Sequence, residues 1–241
     1  YSSGYYTDGQ RFPLLCKINL NGTFAKALKL TGITESTEST IIAVTSNNTL
    51  LLPGSTGTFV EMYPNSTLKF AKKYSSPSSF WFTSVVETNT HDYILAMVGS
   101  PTRGVLLKTT NQGELIWAKE IKGINNANTG FLAINLKNDT LVASGISENA
   151  GLVLSVDVNT GALLDQKAIG GGGITIFLNS LILDDSTTLN VGYSTKNSLG
   201  STDAVGAVIS NNSTSIFKLA GTEIDFFRSA VADEDGSIFL T

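Results

Sequence analysis

Short apolar runs alternate with polar turns along the whole chain. The runs are rich in valine, isoleucine and phenylalanine, and the turns between them in asparagine, aspartate and glycine. No stretch sustains the 3.6-residue spacing of apolar positions that an amphipathic helix requires. Short runs of this composition, bounded by these turn residues, predict β-strands joined by hairpins. The pattern therefore predicts an all-β chain.

One layout recurs along this pattern: a polar turn, an apolar stretch, a lysine and a closing apolar residue. Anchoring the first four copies on Gly22, Ser66, Gly113 and Gly161 gives spacings of 44, 47 and 48 residues. A strand-like run precedes each turn and a predicted hairpin follows each copy, so one repeat contains four strands. The copies are NLNGTFAKALKL (19–30), YPNSTLKFAKKY (63–74), TNQGELIWAKEI (110–121), VNTGALLDQKAI (158–169) and the weaker SNNSTSIFKLAG (210–221).

Four short strands at a period of about 40 to 50 residues are typical of a β-propeller blade. Because one twisted four-stranded sheet cannot bury both of its faces, several blades must pack against each other. We predict a single domain, residues 1–241, with five blades, of which four are internal and one combines both chain ends. The leader YSSGYYT and the final SIFLT compete for one strand position in that composite blade. Residues 1–10 are therefore either an arm that pairs elsewhere, or the chain is a piece of a larger propeller.

The repeats resemble those of secreted and cell-surface β-propeller proteins, in which a strand, an Asn/Asp-Gly turn and a "WAK" strand recur. GVLLKTTNQGELIWAKEI fits that pattern, and DVNTGALLDQ (157–166) has a more distant similarity to quinoprotein propeller repeats. Asp165 stands where the quinoprotein pattern has a tryptophan. The resemblance implies a propeller fold and an extracellular setting, and it carries no catalytic residue and no cofactor to this chain.

The charge and the lengths of the apolar runs limit which classes of partner are expected. Charged residues make up 15% of the chain, the net charge is −4 and the pI is about 5.0. No basic patch stands out, so a nucleic-acid partner is not expected. No apolar run approaches the roughly 18 to 20 residues that span a bilayer. The one cysteine, Cys16, cannot form an internal disulfide.

Candidates for catalysis are few. His91, the one histidine, lies in the predicted turn NTHDY, where we expect it to be solvated rather than held in a catalytic cleft. Acidic residues near the predicted inner strands are Glu35, Glu38, Glu223 and Asp225. A pair such as Glu38 with Asp225 would suit a glycoside hydrolase, but three of the five approaches to the inner strands carry no acid. The turn DEDG (233–236) is too short for a calcium loop and predicts a hairpin.

Sequons for N-glycosylation fall in predicted hairpin turns, where a glycan can be tolerated. Turns favour asparagine, serine and threonine in any case, so the pattern makes glycosylation a hypothesis. The acceptor residues are Asn21, Asn47, Asn65, Asn138, Asn211 and Asn212.

Aromatic residues cluster at the N-terminus and at the starts of predicted inner strands. Trp81, Phe82 and Phe226, with Asp225 beside them, either pack between blades or form a surface for stacking sugars or a partner at the mouth of the propeller. The leader tyrosines Tyr1, Tyr5 and Tyr6 would belong to an arm that adds a strand to a neighbouring subunit.

These observations favour a non-catalytic extracellular β-propeller without cofactor or metal. Its expected role is a structural, assembly or binding module, such as a glycosylated subunit of a surface or filamentous assembly. The expected partners are other protein subunits, including further copies of the chain, or glycans. The first alternative is a lectin-like carbohydrate-binding propeller, and the second is a glycoside hydrolase with a carboxylate pair in the channel.

Overall fold

A computed structural model describes most of the chain as β-strands joined by short turns. The described residues are 2–7, 11–19, 21, 23–29, 41–75, 79–99, 103–170, 173–195, 202–211 and 213–241. Within these ranges the one helical element is a single 3₁₀ turn, Ile124–Asn126. The all-β prediction is confirmed.

The first two sheets come from the first third of the chain. Sheet 1 has three strands, in the order β1 (Ser2–Thr7), β2 (Arg11–Ile18) and β3 (Phe24–Lys29). Sheet 2 has four strands, in the order β4 (Ala43–Val44), β5 (Leu50–Pro53), β6 (Thr58–Met62) and β7 (Leu68–Lys73).

Three further sheets of four strands each follow, and a two-stranded hairpin comes last. Sheet 3 contains β8 (Phe80–Glu87), β9 (Tyr93–Gly99), β10 (Arg103–Thr109) and β11 (Leu115–Ile121). Sheet 4 contains β12 (Thr129–Lys137), β13 (Thr140–Ser147), β14 (Ala150–Asp157) and β15 (Leu163–Ile169). Sheet 5 contains β16 (Thr175–Ile182), β17 (Thr188–Ser194), β18 (Asp203–Ile209) and β19 (Thr214–Leu219). Sheet 6 is the pair β20 (Ala230–Ala232) and β21 (Ile238–Leu240).

Each sheet is a meander in which strands that are consecutive in the chain are neighbours in the sheet. Sheets 2 to 5 therefore have the four-strand repeat that the sequence predicts. The anchor positions of the repeats lie in the turn between the third and fourth strands, as Gly113 and Gly161 show between β10 and β11 and between β14 and β15. The turn DEDG closes the β20–β21 hairpin, with Gly236 N–H donating to Asp233 O.

Both chain ends form strands, and their combination in one composite blade stays a prediction. The leader is strand β1, and its full length pairs with β2, from Ser2 opposite Cys16 to Thr7 opposite Arg11. The C-terminal segment pairs within itself as sheet 6. The leader and the final strand thus belong to two different sheets.

The chain divides into two compact units. Unit 1 consists of residues 1–100 and 107–116, and unit 2 of residues 101–106 and 117–241. Each has its own core. In unit 1 this core contains Leu15, Leu50, Leu52, Val60 and Met62, and in unit 2 one cluster contains Val142, Val153, Ile169, Phe177, Val205, Ala207 and Ile209. That residues 1–241 form one domain stays a prediction.

Sheets 3, 4 and 5 each carry a buried phenylalanine on their first strand. Phe82, Phe131 and Phe177 are buried, and each is followed by a shift of register against the second strand. In unit 2 the ring of Phe131 lies against Gly104, and that of Phe177 lies against Gly151, both on third strands of the preceding sheet. These contacts bring the sheets close together, because a glycine leaves room for the ring.

A second contact repeats at the outer strands. In unit 1 the side chains of Phe70 and Lys72 lie against Gly113, and in unit 2 those of Trp117 and Lys119 lie against Gly161. The Trp117 indole N–H also donates to the Val158 carbonyl at 3.3 Å. Trp117 therefore holds its sheet to the outer turn of the next one.

Candidate functional site

The first predicted binding residues, Trp81 and Phe82, are neighbours on β8 and have different environments. Trp81 is 44% exposed, whereas Phe82 is buried and makes edge-to-face contacts with Tyr74 and Phe80. Side chains alternate between the two faces of a strand, so the neighbours point in opposite directions. Of the two roles predicted for Phe82, packing or ligand stacking, its burial favours packing. Binding by Trp81 stays a prediction.

Phe226 and Asp225 lie between β19 and β20, in unit 2, whereas Trp81 and Phe82 are in unit 1. Phe226 is exposed, and the Asp225 backbone N–H donates to the Thr202 carbonyl at 3.2 Å. Glu35 and Glu38 lie outside the described residues, so the carboxylate pair of Glu38 with Asp225 stays a hypothesis. Tyr1 and the side chains of Tyr5 and Tyr6 on β1 also lie outside the described part of the chain, so the assembly arm stays a prediction.

Five of the six sequon asparagines lie in described turns and are exposed: Asn21, Asn47, Asn65, Asn138 and Asn211. Asn212 lies outside the described residues. The Asn65 side-chain oxygen accepts the Thr67 backbone N–H at 2.9 Å, and that of Asn21 accepts the Thr23 N–H at 3.1 Å. Such bonds are those of Asx turns, which asparagine forms readily. The predicted turn positions are confirmed, and glycosylation stays a prediction.

His91 belongs to a hydrogen-bonded cluster in unit 1. Its Nδ1 lies 2.8 Å from Glu87 Oε1 and 3.2 Å from Ser46 Oγ. A Ser-His-acid triad requires the serine and the carboxylate on different ring nitrogens, whereas here both contact Nδ1. The cluster therefore joins two turns, because Ser46 follows β4 and His91 follows β8.

The Glu87 carboxylate is the centre of this cluster. It accepts the Ser46 backbone N–H at 2.6 Å and the Ser46 hydroxyl at 2.9 Å. Burial favours the neutral carboxyl, but the hydrogen bonds from the Ser46 backbone, His91 and the Ser46 hydroxyl outweigh it, so the pKa of Glu87 lies below its usual value. Glu87 is therefore a carboxylate that stabilises two turns.

One candidate site is a cleft of about 390 Å³ in unit 2, at the ends of the strands of sheet 5. Thr175, Ser194 and Asp203 lie side by side there, since Thr175 pairs with Ser194 and Ser194 pairs with Asp203. Residues directly opposite each other in a sheet project from the same face. The register of three neighbouring strands thus brings two hydroxyls and a carboxylate into one row.

An ion pair completes this row. Lys218 Nζ on β19 lies 2.9 Å from Asp203 Oδ2. The Asp203 residue is completely buried, and its Oδ1 has no hydrogen-bond partner among the described residues. Thr175 Oγ1 and Ser194 Oγ lie 3.0 Å apart. The remaining lining residues are Ile169, Gly170, Val205, Ile216 and Ala220.

Sequence reasoning missed this site, although the repeats contain a signal for it. The register places Asp203 opposite Ser194, as it places Ala150 opposite Ser147 in sheet 4. Likewise Lys218 pairs with Val205, as Ala168 pairs with Leu152. Two alanines in one repeat thus correspond to an acid and a base in the next. An alignment of AGLVLSVD with DAVGAVIS would have pointed to Asp203, whereas the equivalence of Lys218 with Ala168 follows only from the strand register, since the aligned repeats place Lys218 opposite Gln166.

A second cleft of about 300 Å³ lies at the other strand ends of sheets 4 and 5. Its lining includes the sequon residues Asn138 and Asn211, and also Lys137, Asp165 and Lys167. Lys167 Nζ donates to the Ser210 carbonyl at 2.8 Å. A glycan on either asparagine would lie at the mouth of this cleft.

Two kinds of feature are absent from the described residues. No group of three or more histidine, cysteine, aspartate or glutamate side chains among them has the geometry to hold a metal ion. No helix in the same part of the chain is long and apolar enough to cross a membrane.

Comparisons with known proteins establish the fold. No protein-family model and no curated protein sequence matches the chain. Among solved structures, a protein of unknown function from Bacteroides caccae is 14% identical, with a TM-score of 0.61 over 99% of this chain and 80% of its own. The WD40 β-propeller domain of Doa1 is 14% identical, with a TM-score of 0.66 over 99% of this chain and 70% of its own. The propeller of Dos1 is 9% identical, with a TM-score of 0.65 over 99% of this chain and 61% of its own.

These likenesses confirm the predicted β-propeller fold. At identities of 9% to 14% they carry the fold alone. The more specific resemblance to secreted "WAK" repeats and to quinoprotein repeats stays a prediction, as does the number of five blades.

Proposed function

We propose that the protein is a non-catalytic β-propeller module that assembles with other protein subunits. The observation that carries this proposal is an exposed apolar face on sheet 6. Val231 and Phe239 are directly paired across the two strands, and they are 55% and 56% exposed. The opposite face contributes Ala230 and Leu240 to a core cluster. Among the described residues of unit 2, one face of the hairpin is thus packed and the other is open.

The corresponding positions in sheet 5 are covered. Leu181 and Leu189 are paired there as Val231 and Phe239 are in sheet 6. Leu189 is only 3% exposed, because this pair packs against Ala230 and Leu240 of sheet 6. Positions of this kind are therefore where one sheet packs onto the next.

A partner for the open face must offer an apolar sheet surface. The chain itself is built from such surfaces, so we propose a second copy of the chain as the partner. Burying a valine or phenylalanine side chain that is otherwise exposed contributes about 1.5 to 3 kcal/mol. Contacts of one surface with a different surface of a second copy are heterologous and extend into rings or filaments.

A variant with a charge on this face tests the proposal. Phe239→Glu should abolish concentration-dependent association in analytical ultracentrifugation, because a charge cannot be buried without a partner. Leu164→Glu, at an exposed apolar position of the outer strand β15, is the matched control and should associate as the wild type does. A wild-type protein that stays monomeric at every concentration would contradict self-assembly.

An extracellular, glycosylated subunit is the finer form of this proposal. The exposed turn positions of Asn21, Asn47, Asn65, Asn138 and Asn211 support it. The Asx-turn bonds of Asn21 and Asn65 use the side-chain oxygen, so the amide nitrogen stays open to a glycan. The glycoside hydrolase alternative gains no support from the described residues, among which the hydrogen bonds of Asp225 are with Thr202 and not with a second acid.

A further inference from the structure

We propose that the cleft of Asp203 and Lys218 binds a small neutral molecule rich in hydroxyl groups, such as a sugar ring. This site is separate from the assembly face of Val231 and Phe239. It is also separate from Trp81, Phe82 and Phe226, the residues that the sequence suggested for carbohydrate binding.

The first argument is the unmet hydrogen-bonding capacity of Asp203. The residue is completely buried and lines the cleft. Lys218 occupies Oδ2 at 2.9 Å, whereas Oδ1 accepts no hydrogen bond from a described residue. Buried carboxylate oxygens are normally paired, and an unpaired one in a native protein calls for an explanation. A ligand hydroxyl that donates to Oδ1 would supply the missing bond.

Charge balance favours a neutral ligand over an ion. The ammonium of Lys218 compensates the carboxylate of Asp203, which is the one acid among the described lining residues, so that described lining does not select a cation. Beside this pair, the Thr175 and Ser194 hydroxyls lie 3.0 Å apart. Each hydroxyl can both donate and accept. Sugar hydroxyls have the same dual capacity, which matches this row of acceptors and donors.

The shape and walls of the cleft fit a ring-sized molecule. Its volume of about 390 Å³ falls within the range of about 300 to 1,000 Å³ that is usual for small-molecule sites. Ile169, Val205 and Ile216 give it apolar walls. A sugar ring combines hydroxyls at its edge with C–H groups on its faces, so polar and apolar lining can be used together.

The repeat itself indicates that the ion pair is not needed for the fold. Sheet 4 has Ala150 and Ala168 at the corresponding positions, and it forms the same four strands. A buried ion pair contributes little net stability compared with apolar residues of similar volume. An acid and a base in place of two alanines are therefore better explained by binding than by folding.

Ligand-observed NMR with the whole chain tests this proposal. The probes are glucose, galactose, mannose and N-acetylglucosamine, each as the free sugar and as the methyl glycoside. We expect saturable binding of at least one of them to the wild type. The double variant Asp203→Ala/Lys218→Ala, which copies sheet 4, should weaken it by about tenfold or more, because the hydrogen bond to a charged group is lost.

A matched pair in the second cleft is the control. Lys137→Ala/Asp165→Ala also removes one base and one acid from a cleft of unit 2 and should leave sugar binding unchanged. Binding of both sugar forms indicates the end of a glycan as the ligand, and binding of the free form alone indicates a free sugar. No saturable binding of any probe, or binding that survives in the double variant, would overturn the proposal.

Stability measurements separate loss of binding from loss of folding. The double variant should keep a melting temperature close to that of the wild type, since sheet 4 folds with two alanines. Lys218→Met alone should lower it more, because it leaves the buried Asp203 carboxylate unpaired. Self-association should persist in the double variant, so failure of this site and failure of the assembly proposal are distinguishable.

Discussion

At the scale of single residues, the environment of a side chain departs from what its sequence position suggests. His91 lies in a turn, as predicted, but its ring is bonded to Glu87 rather than only to water. Trp81 and Phe82 are adjacent in the same apolar run, yet one is exposed and the other buried. The environment of His91 depends on a residue far along the chain, since the Ser46 hydroxyl, 45 positions before it, lies 3.2 Å from its ring nitrogen.

Glu87 should make the stability of unit 1 depend on pH. Its pKa is lower in the folded than in the unfolded chain, so its contribution is present above the unfolded-state pKa and is lost as pH falls through the folded-state value. Glu87→Gln should therefore flatten the fall in the free energy of unfolding below about pH 4.3. Urea denaturation at a series of pH values measures this.

A control for this titration is Glu234→Gln, in the exposed turn before β21. This variant should keep the wild-type slope. If Glu87→Gln and the wild type show the same pH dependence, the hydrogen bonds of Ser46 and His91 do not stabilise the carboxylate.

At the scale of elements, the repeat is held together by glycine positions in the outer turns. Gly113 and Gly161 have positive φ angles of 75° and 69°. A Cβ at Gly161 would lie 2.9 Å from Lys119 Cγ and 3.1 Å from Trp117 Cε3. Both the backbone conformation and the close side chains thus favour glycine. The tryptophan of the "WAK" strand thus packs against the glycine turn of the following sheet, which links one repeat to the next.

Gly161→Ala should destabilise the protein by more than the backbone alone requires. A non-glycine residue in the left-handed region costs about 1 to 2 kcal/mol. Gly236→Ala is the matched control, since φ is 85° there but no atom lies within 4 Å of a Cβ. Chemical denaturation should give the larger loss for Gly161→Ala, and equal losses would show that the contact with Trp117 and Lys119 contributes nothing.

The positions of strands and turns were predicted better than the contacts between distant segments. Anchors such as Ser66, Gly113 and Gly161 lie in the turns between third and fourth strands because turn chemistry is local. The sequence left open which segment fills one strand position of the composite blade, because the leader and SIFLT have the same pattern. The pairing of Ser2–Thr7 with Arg11–Ile18 depends on which partner is nearest, and apolar pattern alone carries no such information.

At the scale of the whole molecule, the chain presents exposed polar turns on a propeller of low charge. The five described sequon asparagines lie on those turns. The open face of sheet 6 and the Asp203 cleft are both in unit 2. The proposed assembly and the proposed sugar site are therefore carried by the same unit.

Production in a secretory eukaryotic host should yield a glycosylated protein. Intact-mass spectrometry should show a loss of mass after enzymatic removal of N-glycans, because the exposed turns leave the acceptor amides open. Material from a bacterial cytosol is the control and should show no change. A mass that the enzyme leaves unchanged in the secreted material would refute glycosylation of this surface.

By itself the sequence determined the strand composition, the four-strand repeat and the positions of the turns, because these follow from backbone preferences and side-chain alternation within a few residues. Only the tertiary structure decided which side chains meet across strands and sheets. Asp203 and Lys218, 15 positions apart, form an ion pair through the register of β18 and β19. Phe82 is buried as Phe131 and Phe177 are. Such contacts depend on packing between distant segments, which the order of residues specifies only through the complete fold.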